Sequence, residues 1–179
     1  MTEIEYSQAS EATELCKACG LCCTGHLFSW VRLKAVELTP LEKLGLNVIR
    51  SDPRQRGFTQ PCPMWNGICT IYESPQYPRG CDSYKCKLLR ELLDESVSLP
   101  KALRVVKQAK AKIQVVENLL PASSHSSFRD RFVDQLEFLN KSRENDTEES
   151  ELRIRAGELL DCFENQFGVK DLLDLPEIE

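Results

Sequence analysis

Cys16-Lys17-Ala18-Cys19-Gly20-Leu21-Cys22-Cys23 places four thiols within eight residues, and four more follow at Cys62, Cys69, Cys81 and Cys86. The spacing is C-x2-C-x2-C-C, then C-x6-C-x11-C-x4-C. Thiols this dense point to a metal in a reducing compartment and to disulfides in an oxidising one. The opening Met1-Thr2-Glu3-Ile4-Glu5-Tyr6 lacks the positive and apolar regions of a secretory signal. The expected compartment is therefore the cytosol, and the expected partner of the sulfur is a metal.

Working outward, 179 residues suit one domain or one domain with a helical appendage. A hydrophobic fraction of 41% is enough for a sizeable core, so covalent staples are not needed. Residues 1–86 carry 9 basic and 9 acidic side chains, while residues 87–179 carry 14 and 19, which accounts for the whole net charge of −5. An acidic chain without a basic tail is a poor general nucleic-acid binder. No window approaches the roughly 18 consecutive apolar residues of a membrane span.

In chain order, residues 1–13 read as a short helix or a loose lead-in. Gly20 and Gly25 allow the backbone around the first thiols to turn back on itself. Thr39-Pro40-Leu41-Glu42 has the pattern of a helix start, with Gly45 as its stop. Residues 50–57 read as a polar loop. Asn66-Gly67 predicts a tight turn bringing Cys62 and Cys69 together. Cys81 and Cys86 stand at the entry to a helix over 85–94, with Cys81 before it because i and i+5 do not share a helical face.

Beyond residue 95 the pattern is helical. Leu99, Val106, Ile113 and Leu120 recur every seven residues, with Ala102, Ala109 and Val116 between them. Ser98 and Pro100 start that run and Pro121 ends it. Phe128, Phe132, Leu136 and Leu139 mark a second amphipathic helix. A third runs from a capping-box-like Asp146 and Glu149 through Leu152, Ala156, Leu159, Leu160, Phe163 and Phe167 to Gly168. The expected fold is mainly α: a cysteine-rich metal-binding module with short helices and a turn, residues 1–92, packed on a helical bundle, residues 93–179.

A C-x2-C step supplies two ligands of a tetrahedral site, and adding Cys22 wraps three sulfurs round one point, as in iron–sulfur loops. Adjacent side chains diverge, so Cys23 is expected to reach a second site or to stay behind the ligands. The count allows two four-thiolate sites, or one cluster with spare thiols. Soft sulfur disfavours magnesium and calcium. Zinc and iron–sulfur both remain as candidates.

These residues resemble the CxxCxxCC (YkgJ-type) cysteine-cluster family. Val36-Glu37-Leu38-Thr39-Pro40-Leu41-Glu42 is similar to its "V-x-L-T-x-x-E" step, and Cys62-Pro63-Met64 with Gly67-Ile68-Cys69-Thr70-Ile71-Tyr72-Glu73 to its "C-P…G-x-C-x-I-Y-E" segment. Pro78-Arg79-Gly80-Cys81-Asp82-Ser83-Tyr84-Lys85-Cys86 resembles its "R-P-x-x-C-R-x-Y-x-C" close, with two departures: Pro precedes Arg79, and Asp82 stands in place of Arg. The resemblance covers roughly residues 14–90. It implies a zinc- or iron-chelating domain, with relatives among flagellin lysine methylases that use an iron–sulfur cluster. It carries a site and not a reaction, so whether the chain is an enzyme stays open.

The remaining candidates have plainer readings. Cys162 is expected to be a packing thiol and His125 a solvated loop residue; His26, three residues after Cys23, is expected to be a hydrogen-bonded loop residue, with a further metal ligand as the alternative. Trp30 and Trp65 should pack over the ligand segments, and Arg79 and Lys85 read either as cations that soften thiolate charge or as ordinary exposed cations. The basic run Lys101, Arg104, Lys107, Lys110 and Lys112 reads as a solvated helix face or an acidic-partner face. No GxSxG, Walker or GxGxxG pattern is present. The functional expectation is a cytosolic protein holding an iron–sulfur cluster or zinc, with a redox or cofactor role. The alternative is a structural zinc module or adaptor, with a protein partner met through the C-terminal helices.

Overall fold

The computed structural model describes residues 3–125, 127–141 and 147–170. The chain is mainly helical. Helix α1 (Glu3–Cys19) leads to strand β1 (Trp30–Arg32), helix α2 (Ala35–Lys43), strand β2 (Val48–Ile49), a 3-10 turn over Pro53–Gln55 and strand β3 (Gly57–Thr59). Then come α3 (Arg79–Ser83), α4 (Lys87–Leu93), α5 (Leu99–Leu119), α6 (Phe128–Lys141) and α7 (Thr147–Cys162), which runs into a π-helical turn at Phe163–Phe167. The expected division at residue 92 falls at the end of α4. No helix among the described residues is long and apolar enough to cross a membrane.

Helix α5 is the central post. Ala102, Val106, Ala109, Ile113 and Val116 are buried along the seam expected from the heptad spacing. Ala102, Ala109 and Val116 are fully enclosed, and small side chains there let neighbouring helices approach closely. Leu152, Ala156 and Leu159 of α7, Phe128, Phe132 and Leu139 of α6, and Leu88, Leu89 and Leu92 of α4 complete one apolar cluster, which also takes in Leu15 of α1 with Leu21 and Leu27 after it. Arg131 of α6 pairs with Glu117 of α5.

The end of α7 fastens α4. Phe163 and Phe167 are buried and meet edge to face, ring centres 6.4 Å apart. Gly168 at φ +74° closes the turn, and a Cβ there would sit 3.1 Å from Lys87 Cβ. The Lys87 ammonium in turn donates to the Asn165 carbonyl at 2.8 Å. The bundle thereby holds the first turn of α4, and with it Cys86.

A smaller cluster of Leu33, Leu38, Leu41, Leu46 and Phe58 lies under a three-stranded antiparallel sheet of order β1-β3-β2. Strands this short carry no alternation, so the sequence does not announce them. Gly57 makes the β1–β3 pairing feasible: a Cβ would stand 2.1 Å from the Val31 carbonyl oxygen.

Several boundaries differ from expectation. The lead-in is a continuous 17-residue helix that runs into the thiol stretch. Helix α2 begins at Ala35, so Thr39 and Pro40 lie inside it. Glu37 explains the early start, because its carboxylate accepts the Lys34 N–H at 2.7 Å and satisfies an end donor. Pro40 leaves the carbonyl of Val36 without its usual donor, and Val36 is 80% exposed, so water can serve it. Gly45, at φ +97°, ends the helix as expected, with Leu46 N–H bonded to the Leu41 carbonyl at 3.1 Å. Helix α4 starts at Lys87, two residues late, because Cys86 acts as its cap. Glu149 lies within α7, while Asp146 falls outside the described residues.

Candidate metal centre

Cys16 and Cys19 occupy the last turn of α1 on one helical face. Gly20 ends that helix at φ +68°, and a Cβ there would lie 2.1 Å from the Trp65 ring. Glycine is therefore required twice, for the backbone sign and for the indole. The turn that follows carries Cys22 and Cys23. Thr24 Oγ1 donates to the Gly20 carbonyl at 2.9 Å, and His26 Nδ1 lies 2.5 Å from the same hydroxyl. His26 also lies against Phe128, the rings tilted at 44° with centres 5.0 Å apart. It is held as a loop histidine, and burial lowers its pKa.

The second group of thiols folds back onto the first. Cys62 N–H donates to the Cys23 carbonyl at 2.7 Å. The Asn66-Gly67 turn forms as expected: Gly67 is at φ +75°, and Trp65 pairs with Cys69 in an isolated antiparallel bridge. Cys81 lies in α3, where Gly80 lets the helix press on β1, since a Cβ would stand 2.8 Å from the Arg32 carbonyl oxygen. Cys86 caps α4, its Sγ accepting the Leu89 N–H at 3.4 Å. Lys17 pairs with Glu73 at 2.7 Å and lies over the Tyr72 ring, tying α1 to the returning segment.

Seven of the eight thiols (all but Cys62) line one cavity of about 370 Å³, together with Trp30, Phe28, Tyr72, Tyr77 and Tyr84. All nine cysteines are free and Cys162 is buried in the bundle, so its expected packing role agrees with its position. Cys16, Cys19, Cys22 and Cys86 pack against the large apolar cluster, and Cys62 and Cys81 against the small one. Gln60 is also buried at the cavity, and its Oε1 has no hydrogen-bond partner among the described residues.

Burial is the first cause of every thiol shift. It pushes Cys16 up to about 11 and both Cys19 and Cys23 to about 12, with Cys22 and Cys81 well above the ordinary range. Cys62, Cys69 and Cys86 are raised as well. Neighbouring thiolates add to the rise, because like charges gathered in an apolar site repel. Lys85, Lys110, Arg90 and Lys17 act the other way on Cys16, Cys19, Cys86 and Cys69. The Lys85 ammonium donates to the Asp82 carbonyl at 3.1 Å, and Lys110 of the basic run reaches the Ala18 carbonyl at 2.9 Å. His125 is exposed and faces Asp134 at 3.0 Å.

No family model, curated protein or solved structure matches this chain. Among the described residues, no group of three or more His, Cys, Asp or Glu side chains stands ready to hold a metal ion. The sulfurs share walls without closing on a point. Each can be re-aimed by rotation into another staggered well, and closure by thiolates alone would be opposed by their charge.

The three tyrosines escaped the sequence reading. Tyr72 and Tyr84 sat inside quoted motifs, yet nothing in their spacing marks them as cavity walls. Tyr72 and Tyr77 lie 5.0 Å apart by ring centre, and burial raises the pKa of all three hydroxyls.

Proposed function

We propose that this chain is a metal–thiolate protein of the reducing cytosol, holding an iron–sulfur cluster or zinc through Cys16, Cys19, Cys22, Cys23, Cys62, Cys69, Cys81 and Cys86. One observation carries the reading. Seven free thiols line one apolar chamber and Cys62 stands next to it, bonded through its N–H to Cys23, although burial outweighs every other influence on these thiols. A bound metal replaces thiol protons and converts the repulsion between thiolates into ligation. The likeness to the CxxCxxCC family supports the same reading. An iron–sulfur cluster would supply one-electron chemistry, and the aromatic walls would limit its exposure to water. Phe138 and Ile154, 54% and 62% exposed on α6 and α7, are the surface on which a protein partner would be sought.

A structural zinc role is favoured by a different observation. Residues 60–78 contain neither helix nor strand, and such segments are commonly closed by a metal. Anaerobic purification followed by iron, zinc and sulfide analysis separates the two. Iron with matching sulfide and visible absorption supports the cluster; colourless protein with zinc supports the structural site. A folded preparation carrying neither, and taking up neither, would overturn the proposal.

A further inference from the structure

We propose that the eight thiols form two separate four-sulfur centres with crossed membership, Cys16, Cys19, Cys22 and Cys86 in one and Cys23, Cys62, Cys69 and Cys81 in the other, each taking one thiophilic metal ion or cluster. This rests on the metal–thiolate reading and adds the partition. The simple division into an early and a late quartet fails on packing. Cys86 shares the large apolar cluster with Cys16, Cys19 and Cys22, whereas Cys62 and Cys81 belong to the small one.

Backbone geometry carries Cys23 across. Its carbonyl accepts the Cys62 N–H at 2.7 Å, and the bridge at Trp65 folds Cys69 back beside that segment. Cys22 and Cys23 are adjacent, so their side chains diverge, and each serves its own side of the chamber.

The charges of the thiols on one another follow this packing in most cases. Cys16 and Cys19 both feel Cys86; Cys22, which stands between the groups, feels Cys19 and Cys86 first, then Cys23, then Cys16. Cys23 feels Cys69 and Cys62 ahead of Cys16 and Cys19, and Cys81 feels Cys23, Cys62 and Cys69. A divalent ion held by four thiolates leaves about −2 of charge. Lys85, Lys110 and Arg90 act on the first group and Lys17 on the second, so each has its own cations.

The test is an anaerobic titration of the full-length, metal-free protein with cobalt(II), following the thiolate-to-cobalt charge-transfer band. The expected end point is about two equivalents per chain, because each tetrahedral four-sulfur site takes one ion. Cys69→Ser/Cys81→Ser and Cys19→Ser/Cys86→Ser should each end at about one equivalent, with helix content checked by circular dichroism. A wild-type end point at one equivalent overturns the partition while leaving the metal–thiolate reading intact, and so does either paired variant that still takes up two. No uptake at all overturns the reading itself. The wild-type end point fixes the number of centres and Cys19→Ser/Cys86→Ser their membership: that variant, with helix content kept, taking up no cobalt would overturn the crossed assignment in favour of an early and a late quartet.

Discussion

The bundle of α4 to α7 and the segment 60–86 are closed by different forces. In the bundle, Ala102, Val106, Ile113, Val116, Leu159 and Phe163 stack into a continuous interior, and each large apolar side chain removed from water contributes about 1.5–3 kcal/mol. Between residues 60 and 78 there is instead a chain of turns with one isolated bridge. It is tied to the rest by the Gln60–Ser29 and Cys62–Cys23 backbone hydrogen bonds, by Lys17 against Glu73 and Tyr72, by Met64 and Ile71 on the small cluster, and it brings its thiols to the cavity side. The bundle can hold itself together by exclusion of water. The returning segment has only a few apolar side chains to bury, and on the metal–thiolate reading its sulfur supplies the remaining closure.

That contrast can be broken most forcefully in the bundle. Phe163→Ala removes a fully buried ring and should cost about 3–5 kcal/mol in urea unfolding. Metal affinity should fall with it, because the same turn pins α4 and Cys86. Gly20→Ala attacks the other region. It places a side chain at φ +68° and into the Trp65 ring, so a loss of about 1–3 kcal/mol and a shift in tryptophan fluorescence are expected.

Alkali should separate the metal-free from the loaded protein. The folded metal-free chain keeps its protons up to about 11 at Cys16 and about 12 at Cys19 and Cys23. An unfolded chain gives them up near about 8.5. The folded state therefore holds more protons in that window, and its stability falls as pH rises through it. Urea midpoints of the metal-free protein should drop between about pH 8 and pH 10, while metal binding, which releases protons, strengthens. The smallest effect belongs to Cys162→Ala, about 1 kcal/mol with metal content unchanged, since that thiol only packs.

The two regions also differ in how far the sequence disclosed them. Helix α5 was legible because seven-residue spacing is a long-range pattern that packing then uses; Gly45 and Gly168 were legible because a left-handed cap favours glycine. The strands were not, since two or three residues cannot display alternation. Helix α2 misled through Thr39-Pro40, where the Glu37 carboxylate determined the true start. Spacing alone marked eight thiols, seven of which line the one cavity. Which of them pack on which apolar cluster was not legible, because the Cys62–Cys23 backbone bond and the packing of Cys86 on the bundle depend on how distant segments return.

X-ray absorption at the metal edge of anaerobically loaded protein tests the central claim most directly. The account predicts a first shell of sulfur alone, at about 2.3 Å if the metal is zinc. A shell dominated by nitrogen or oxygen would contradict it and take the metal away from the thiol chamber.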